Sequence, residues 1–202
     1  MNNNLLKVAA DIIRKNSKLL TRSTIDRFFV AVTDDISEIG SDYYEEDLLE
    51  IRGTISKLLE DAGINWIALV ECIPEGAFGA HYEDVKSIMM PSNVISLAGW
   101  AFYGSDFTEI TFAGQLEYIG MGALDARLLR KIKFLKSIKQ CEFRAEPFGD
   151  TANSLSEIDV LDSKEDIKKM SFIDYLYSPK VTIKCTDGDL IYINGELQGE
   201  YS

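Results

Sequence analysis

Histidine is almost missing from this chain: His81 stands alone among 202 residues. A single imidazole removes most zinc sites and the histidine-based catalytic triads at the outset. Cysteine is scarce as well. Cys72, Cys141 and Cys185 are odd in number, widely scattered and without paired spacing, so they read as small buried thiols in a reducing compartment rather than as a disulfide framework. No run approaches the ~20 apolar residues needed to cross a bilayer. The start, Met1 to Lys7, lacks an apolar stretch followed by a small-residue cleavage site. A soluble, cytoplasmic protein is the simplest expectation. Bases are in deficit, 21 against 33 acids, for a net charge of −12. That balance disfavours a sequence-independent grip on nucleic acid, whose affinity comes from neutralising phosphates.

Catalytic motifs are missing too. Gly120-Met121-Gly122 is too short for a phosphate-cradling loop, and no serine stands in a nucleophile-elbow pattern. Neighbouring acids such as Asp34-Asp35 and Glu45-Glu46 diverge on a helix and read as surface. Cys185 precedes a tight turn with no basic partner beyond Lys184. These residues offer no catalytic, cofactor-binding or metal-ligating constellation, and the reading is non-enzymatic.

What is there begins with helices. Residues 1–62 read as a helical N-terminal domain or cap. Leu5, Val8, Ala9, Ile12 and Ile13 keep helical spacing. Ser23 and Asp26 mark a capped start for a second helix, with Ile25, Phe28, Phe29, Val32 and Ile36 as its apolar stripe. Asp42 caps a third, whose face is Leu48, Ile51, Ile55, Leu58 and Leu59 and whose stop is Gly63. Gly53 inside that helix costs about 1 kcal/mol against alanine.

Residues 63–145 repeat themselves. Ile64-x-Trp66, Ile88-x-Met90, Ile110-x-Phe112 and Ile132-x-Phe134 recur after 24, 22 and 22 residues (64 to 88, 88 to 110, 110 to 132). A second element keeps register with the first: Ile73 to Ala77-Phe78, Leu97 to Ala101-Phe102, Ile119 to Ala123-Leu124 and Ile138 to Glu142-Phe143. Periods in the low twenties mark a solenoid, in which no unit buries its own apolar face and each must stack on its neighbours. The alternation in Ile110-Thr111-Phe112 is strand geometry, with first and third side chains inward.

The run from Val85 through Ile88, Pro91, Val94 and Leu97 to Ala101-Phe102 resembles one unit of the BspA-type leucine-rich repeat. Phe107-x-x-Ile110-x-Phe112 with Leu116, Ile119 and Ala123-Leu124 follows the same scheme, as does Leu129-x-x-Ile132-x-Phe134 with Ile138 and Phe143. Ala113 and Leu135 stand where Pro91 does, and the last unit reads as short, with Glu142 in the alanine place. The resemblance implies an α+β molecule: an N-terminal helical cap on a short leucine-rich-repeat solenoid with a parallel sheet, closed by a C-terminal β-hairpin. Residues 146–202 fit that ending. Pro147, Gly149, Asp150 and several serines suggest an insertion loop to Ser163, and Ile167 to Leu176 a short helix. Val181 to Cys185 and Leu190 to Ile193 then flank an Asp187-Gly188 turn, with Asn194-Gly195 as a second.

If the strands stack in register, Gly63, Ser87, Glu109 and Lys131 form one outward column and Asn65, Met89, Thr111 and Lys133 another. Glu109 beside Lys131 reads as a cross-strand charge pair, and Met89 as an adaptable apolar contact. Charge is segregated elsewhere: Asp34, Asp35, Glu38, Asp42, Glu45, Glu46, Asp47 and Glu50 form an acidic run holding Tyr43 and Tyr44. Arg127, Arg130, Lys131, Lys133, Lys136 and Lys139 form a basic one. The partner-binding candidates are Met89, Glu109, Thr111, Lys131, Lys133, Tyr43, Tyr44, Glu45 and Glu46. The resemblance implies a non-enzymatic protein-binding module without cofactor. Because such repeats also occur in bacteriophage proteins, it extends to a phage-encoded inhibitor that occludes a bacterial protein in the host cytoplasm. The alternative is an acidic nucleic-acid mimic, or a nucleic-acid-facing protein using the basic strip. Direct binding to nucleic acid is disfavoured, and homo-oligomerisation is left open.

Overall fold

The computed structural model describes Ile25 and residues 45–79, 85–149 and 154–202. The first two sequence-predicted helices, except Ile25, and the Asp42 cap lie outside that range. The third helix is present as α1, Glu45–Asp61. It ends where expected, at left-handed Gly63 (φ 76°).

Stacked coils follow. Two-residue strands β1 (Cys72–Ile73), β3 (Ser96–Leu97), β5 (Tyr118–Ile119) and β7 (Glu142–Phe143) make one short parallel sheet. Longer strands β2 (Ser87–Met90), β4 (Glu109–Phe112), β6 (Lys131–Phe134) and β8 (Glu157–Asp159) make a second, also parallel. Ile88, Ile110, Ile132 and Ile158 occupy one rung position across it. Their neighbours Met90, Phe112 and Phe134 form a second inward column, with Phe112 and Phe134 stacked at 5.4 Å. Phe78 stacks on Phe102 at 4.7 Å. One continuous apolar interior results, and Ile25, Ile55 and Leu59 belong to it along with Trp66 and Phe78.

The sheet closes as the tail pattern indicated. β9 (Val181–Cys185) runs parallel to β8, then β10 (Gly188–Ile193) and β11 (Glu196–Tyr201) turn back antiparallel through the two predicted turns. The seven strands lie in the order β11-β10-β9-β8-β6-β4-β2.

Four details depart from the sequence reading. Ile64-x-Trp66 is not a strand: Trp66–Leu69 is a 3-10 turn. Trp66 is still buried against Phe78, at 5.5 Å, but the chain leaves α1 through Gly63 and curls beneath the helix, so Gly63 and Asn65 join no column. In the fourth coil Phe143, not Ile138, pairs with Ile119. Two extra residues separate them, because Ile138 to Phe143 spans five positions where Leu116 to Ile119 spans three. The alanine place is filled by Pro147, whose carbonyl accepts from Leu124 N–H at 2.9 Å, and Glu142 lies on the exposed side of β7. The segment read as an insertion contains β8, a full rung of the sheet. The short helix near Ile167 is a single turn, α2 (Lys164–Ile167), capped by Ser163, followed by a 3-10 turn over Ser171–Tyr175. A tighter period of three residues per turn sets Ile173 and Leu176 on one side, and both are buried.

One column recurs that the apolar pattern does not show. The residue before each alanine or proline step, Gly76, Trp100, Gly122 and Glu146, has φ between 50° and 64° in four successive coils. Two of the four are not glycine. Left-handed backbone costs a residue with a side chain roughly 1–2 kcal/mol.

Gly53 is also accounted for. A Cβ there would fall 1.9 Å from the Gly79 carbonyl oxygen, so the residue that weakens the helix is the one that lets α1 sit on the first coil, where Arg52 reaches Glu75 at 2.7 Å. Gly53→Ala should therefore destabilise the protein despite alanine's better helix propensity. Overpacking of this kind costs about 1–3 kcal/mol; urea titration followed by circular dichroism measures it, and an unchanged or higher midpoint would refute the close-packing argument.

Candidate functional site

The outward face of the long sheet carries the two columns that its register dictates. One is Ser87, Glu109, Lys131, Glu157, Thr182; the other is Met89, Thr111, Lys133, Asp159, Lys184. Five of the nine candidates thus share one surface. Tyr43 and Tyr44 lie outside the described residues, and Glu45 and Glu46 open α1.

This face divides in two. Across β6, β8 and β9, Lys131 bonds Glu157 and reaches Asp159 at 3.1 Å, while Lys184 reaches Glu157 at 2.7 Å and Asp159 at 4.0 Å. Two ammoniums and two carboxylates neutralise one another. The hydrogen bonds donated by Lys131 and then Lys184 hold the Glu157 carboxyl below its ordinary range, and donating to Glu157 and Asp159 holds Lys131 above its own. The expected pairing of Glu109 with Lys131 does not form. They are register partners, but the ammonium turns to the next rung, where two acids outbid one.

The other half is open. Met89 is 64% exposed. Thr111, at 8%, is recessed between its longer register partners Met89 and Lys133. Neither the Glu109 carboxylate nor the Lys133 ammonium meets an oppositely charged group among the described residues. The rung that sequence reading missed, with Glu157 and Asp159, was marked by Leu155-x-x-Ile158-x-Val160, which repeats the spacing of Leu129-x-x-Ile132-x-Phe134, whereas Lys184 lies on the strand expected over Val181 to Cys185.

The basic run does not make a continuous strip. Arg127 pairs with Asp106 at 2.9 Å, Lys139 with Asp166 at 2.9 Å, and Lys131 sits in the network just described. An open groove of about 560 Å³ is lined by Gln115, Leu116, Glu117, Ser137, Lys139 and Gln140. Its polar groups serve the coils themselves: Gln115 donates to the Ser137 carbonyl, and Asp162 accepts from the Ser137 hydroxyl and, at 2.8 Å, from Ile138 N–H. Asn93 does the same one turn earlier, donating to Ile67 and Val70 carbonyls at 2.9 and 2.6 Å.

The thiols behave differently from one another. Burial pushes Cys141 up to about 12, and burial with Asp187 and Asp189 nearby pushes Cys185 up to about 11. Cys72, expected to be buried, is exposed on β1. No helix among the described residues is long and apolar enough to cross a membrane.

Comparison with known proteins gives a match to the family model described as BspA type leucine rich repeat region, in six copies over residues 62–177. No curated protein and no solved structure matches the chain.

Two measurements check this chemistry. Glu157 is more acidic folded than unfolded, so its contribution is present above the unfolded carboxyl value of about 4.3 and is lost as pH falls through the lower folded value. Glu157→Gln should cost on the order of 1 kcal/mol at pH 7, with the gap to wild type closing as denaturation is repeated toward pH 3. A gap that stays constant across that range would rule the network out as its origin. With a thiol reagent at pH 7.5, Cys72 should react quickly while Cys141 and Cys185 wait for denaturant; three fast equivalents in the native protein would contradict the burial.

Proposed function

Since the chain belongs to the BspA type leucine-rich repeat family, we propose that it is a non-enzymatic protein-binding module whose working surface is the outward face of β2, β4 and β6. Leucine-rich repeat modules mediate protein–protein contacts, and a stacked sheet supplies the extended wall such contacts need. The observation that carries the assignment is the division of the face. The β6–β8–β9 half satisfies its own charges, whereas Met89, Glu109, Thr111 and Lys133 leave an apolar side chain, a recess and two charges of opposite sign for a partner. A flexible thioether adapts to the shape opposite it, and the paired charges select orientation more than they add affinity. The mode of action is occupancy: by covering a surface of its partner the chain inhibits whatever else would dock there. Helix α1, packed on the first coil through Gly53, acts as the cap of the stack.

Affinity capture from the native host, wild type against Met89→Asp/Lys133→Glu, tests the reading. Wild type should retain a stoichiometric protein that the double variant binds about tenfold or more weakly, while Lys57→Glu, on the exposed side of α1, retains it. Equal recovery by wild type and the double variant would remove the face from consideration.

A further inference from the structure

The left-handed column offers a second surface, independent of the long sheet. Glycine fills this slot in the first and third coils, but Trp100 and Glu146 fill it in the second and fourth. Both are held in a conformation that their side chains oppose. The indole of Trp100 lies over Gly122: a Cβ on that glycine would stand 2.7 Å from Cδ1 and 2.8 Å from Nε1. Gly122 N–H in turn donates to the Glu146 carbonyl at 3.0 Å, so Glu146 is the next rung beyond the ring. Two rungs span roughly 10 Å, a distance that an indole and a glutamate can close from either side.

Neither side chain is used internally. Trp100 is half-buried, and its indole N–H meets no acceptor among the described residues; Glu146 is exposed and its carboxylate meets no donor among them. Met121, 43% exposed, stands beside them at the head of the third turn. The adjoining rungs show what such a trio does when a cation is present. Arg144 lies over the Tyr118 ring at 5.7 Å and reaches Glu142 at 3.4 Å. Ring, carboxylate and guanidinium are complete there; at Trp100 and Glu146 the ring and the carboxylate wait without the cation.

We propose that Trp100, Glu146 and Met121 form a docking site for an arginine or lysine side chain of a partner protein, the cation lying on the indole and pairing with Glu146. The chain's net charge of −12 draws such a partner in, and glycine at position 122 clears the shelf on which the side chain rests.

A fluorescein-labelled peptide of alternating glycine and arginine, with its citrulline counterpart, is the probe, titrated into the full chain by fluorescence anisotropy and by NMR of the tryptophan indole N–H signals. The arginine peptide should bind and the citrulline peptide should not. Trp100→Gly, which places in this slot the residue it favours, and Glu146→Gln should each weaken binding about fivefold or more, while Asp61→Asn, the same change of charge on α1, should alter it less than twofold. In the wild type the Trp100 indole signal should move on titration while that of buried Trp66 stays. Equal weakening by Glu146→Gln and Asp61→Asn, equal binding of the citrulline peptide, or a stationary Trp100 signal would overturn the site.

Discussion

No coil of this protein owns its interior. Ile110 is buried because Ile88 lies on one side and Ile132 on the other, and the same holds for Phe112 between Met90 and Phe134. A single coil would expose nearly all of its apolar surface, so the favourable term arises only between coils. Everything else follows from keeping the coils at strand spacing. Asn93, Gln115 and Asp162 satisfy turn groups across that spacing, and Gly114, whose Cβ would come 2.2 Å from the Val94 carbonyl oxygen, allows the approach.

The same constraint shapes the surface. Because the inward positions are fixed by stacking, variation is confined to the outward columns and the turns. On the long sheet that freedom yields a self-neutralised half and an unsatisfied half. On the turns it yields two residues held in backbone conformations they do not favour, and strain of this kind persists only when the surroundings over-determine it. Here the over-determining element is a set of backbone hydrogen bonds between coils: Gly76 N–H donates to the Trp100 carbonyl, Trp100 N–H to that of Met121, and Gly122 N–H to that of Glu146.

The repeat, its register from Ile88 to Ile132 and the closing strands were readable in the sequence, because burial repeats there with a fixed period. The parts that were not readable are those where burial and backbone conformation part company. Trp66 keeps the inward role of its column while its backbone coils. Two extra residues before Phe143 shift the alignment, so Pro147 rather than Glu142 takes the alanine place. β8 was hidden because Leu155, Ile158 and Val160 follow a stretch rich in turn residues. The outward columns were legible as far as Lys131 and Lys133, but the choice of partner for Lys131 depended on acids one rung further on. The left-handed slot carries no compositional signal once tryptophan and glutamate occupy it.

The reversal of strand direction between β9 and β10 bears on how such a molecule changes length. A parallel rung can be inserted wherever the strands above and below run the same way, since the newcomer meets the same backbone pattern on both sides. Past β9 that symmetry is gone, because β10 runs against the stack and β11 turns back against β10. Duplication of a 22-residue segment within β2–β8 would lengthen the wall without disturbing its neighbours, whereas addition beyond β9 would need a different connection altogether. Added rungs therefore fit the middle of this architecture, with its final hairpins carried along unchanged.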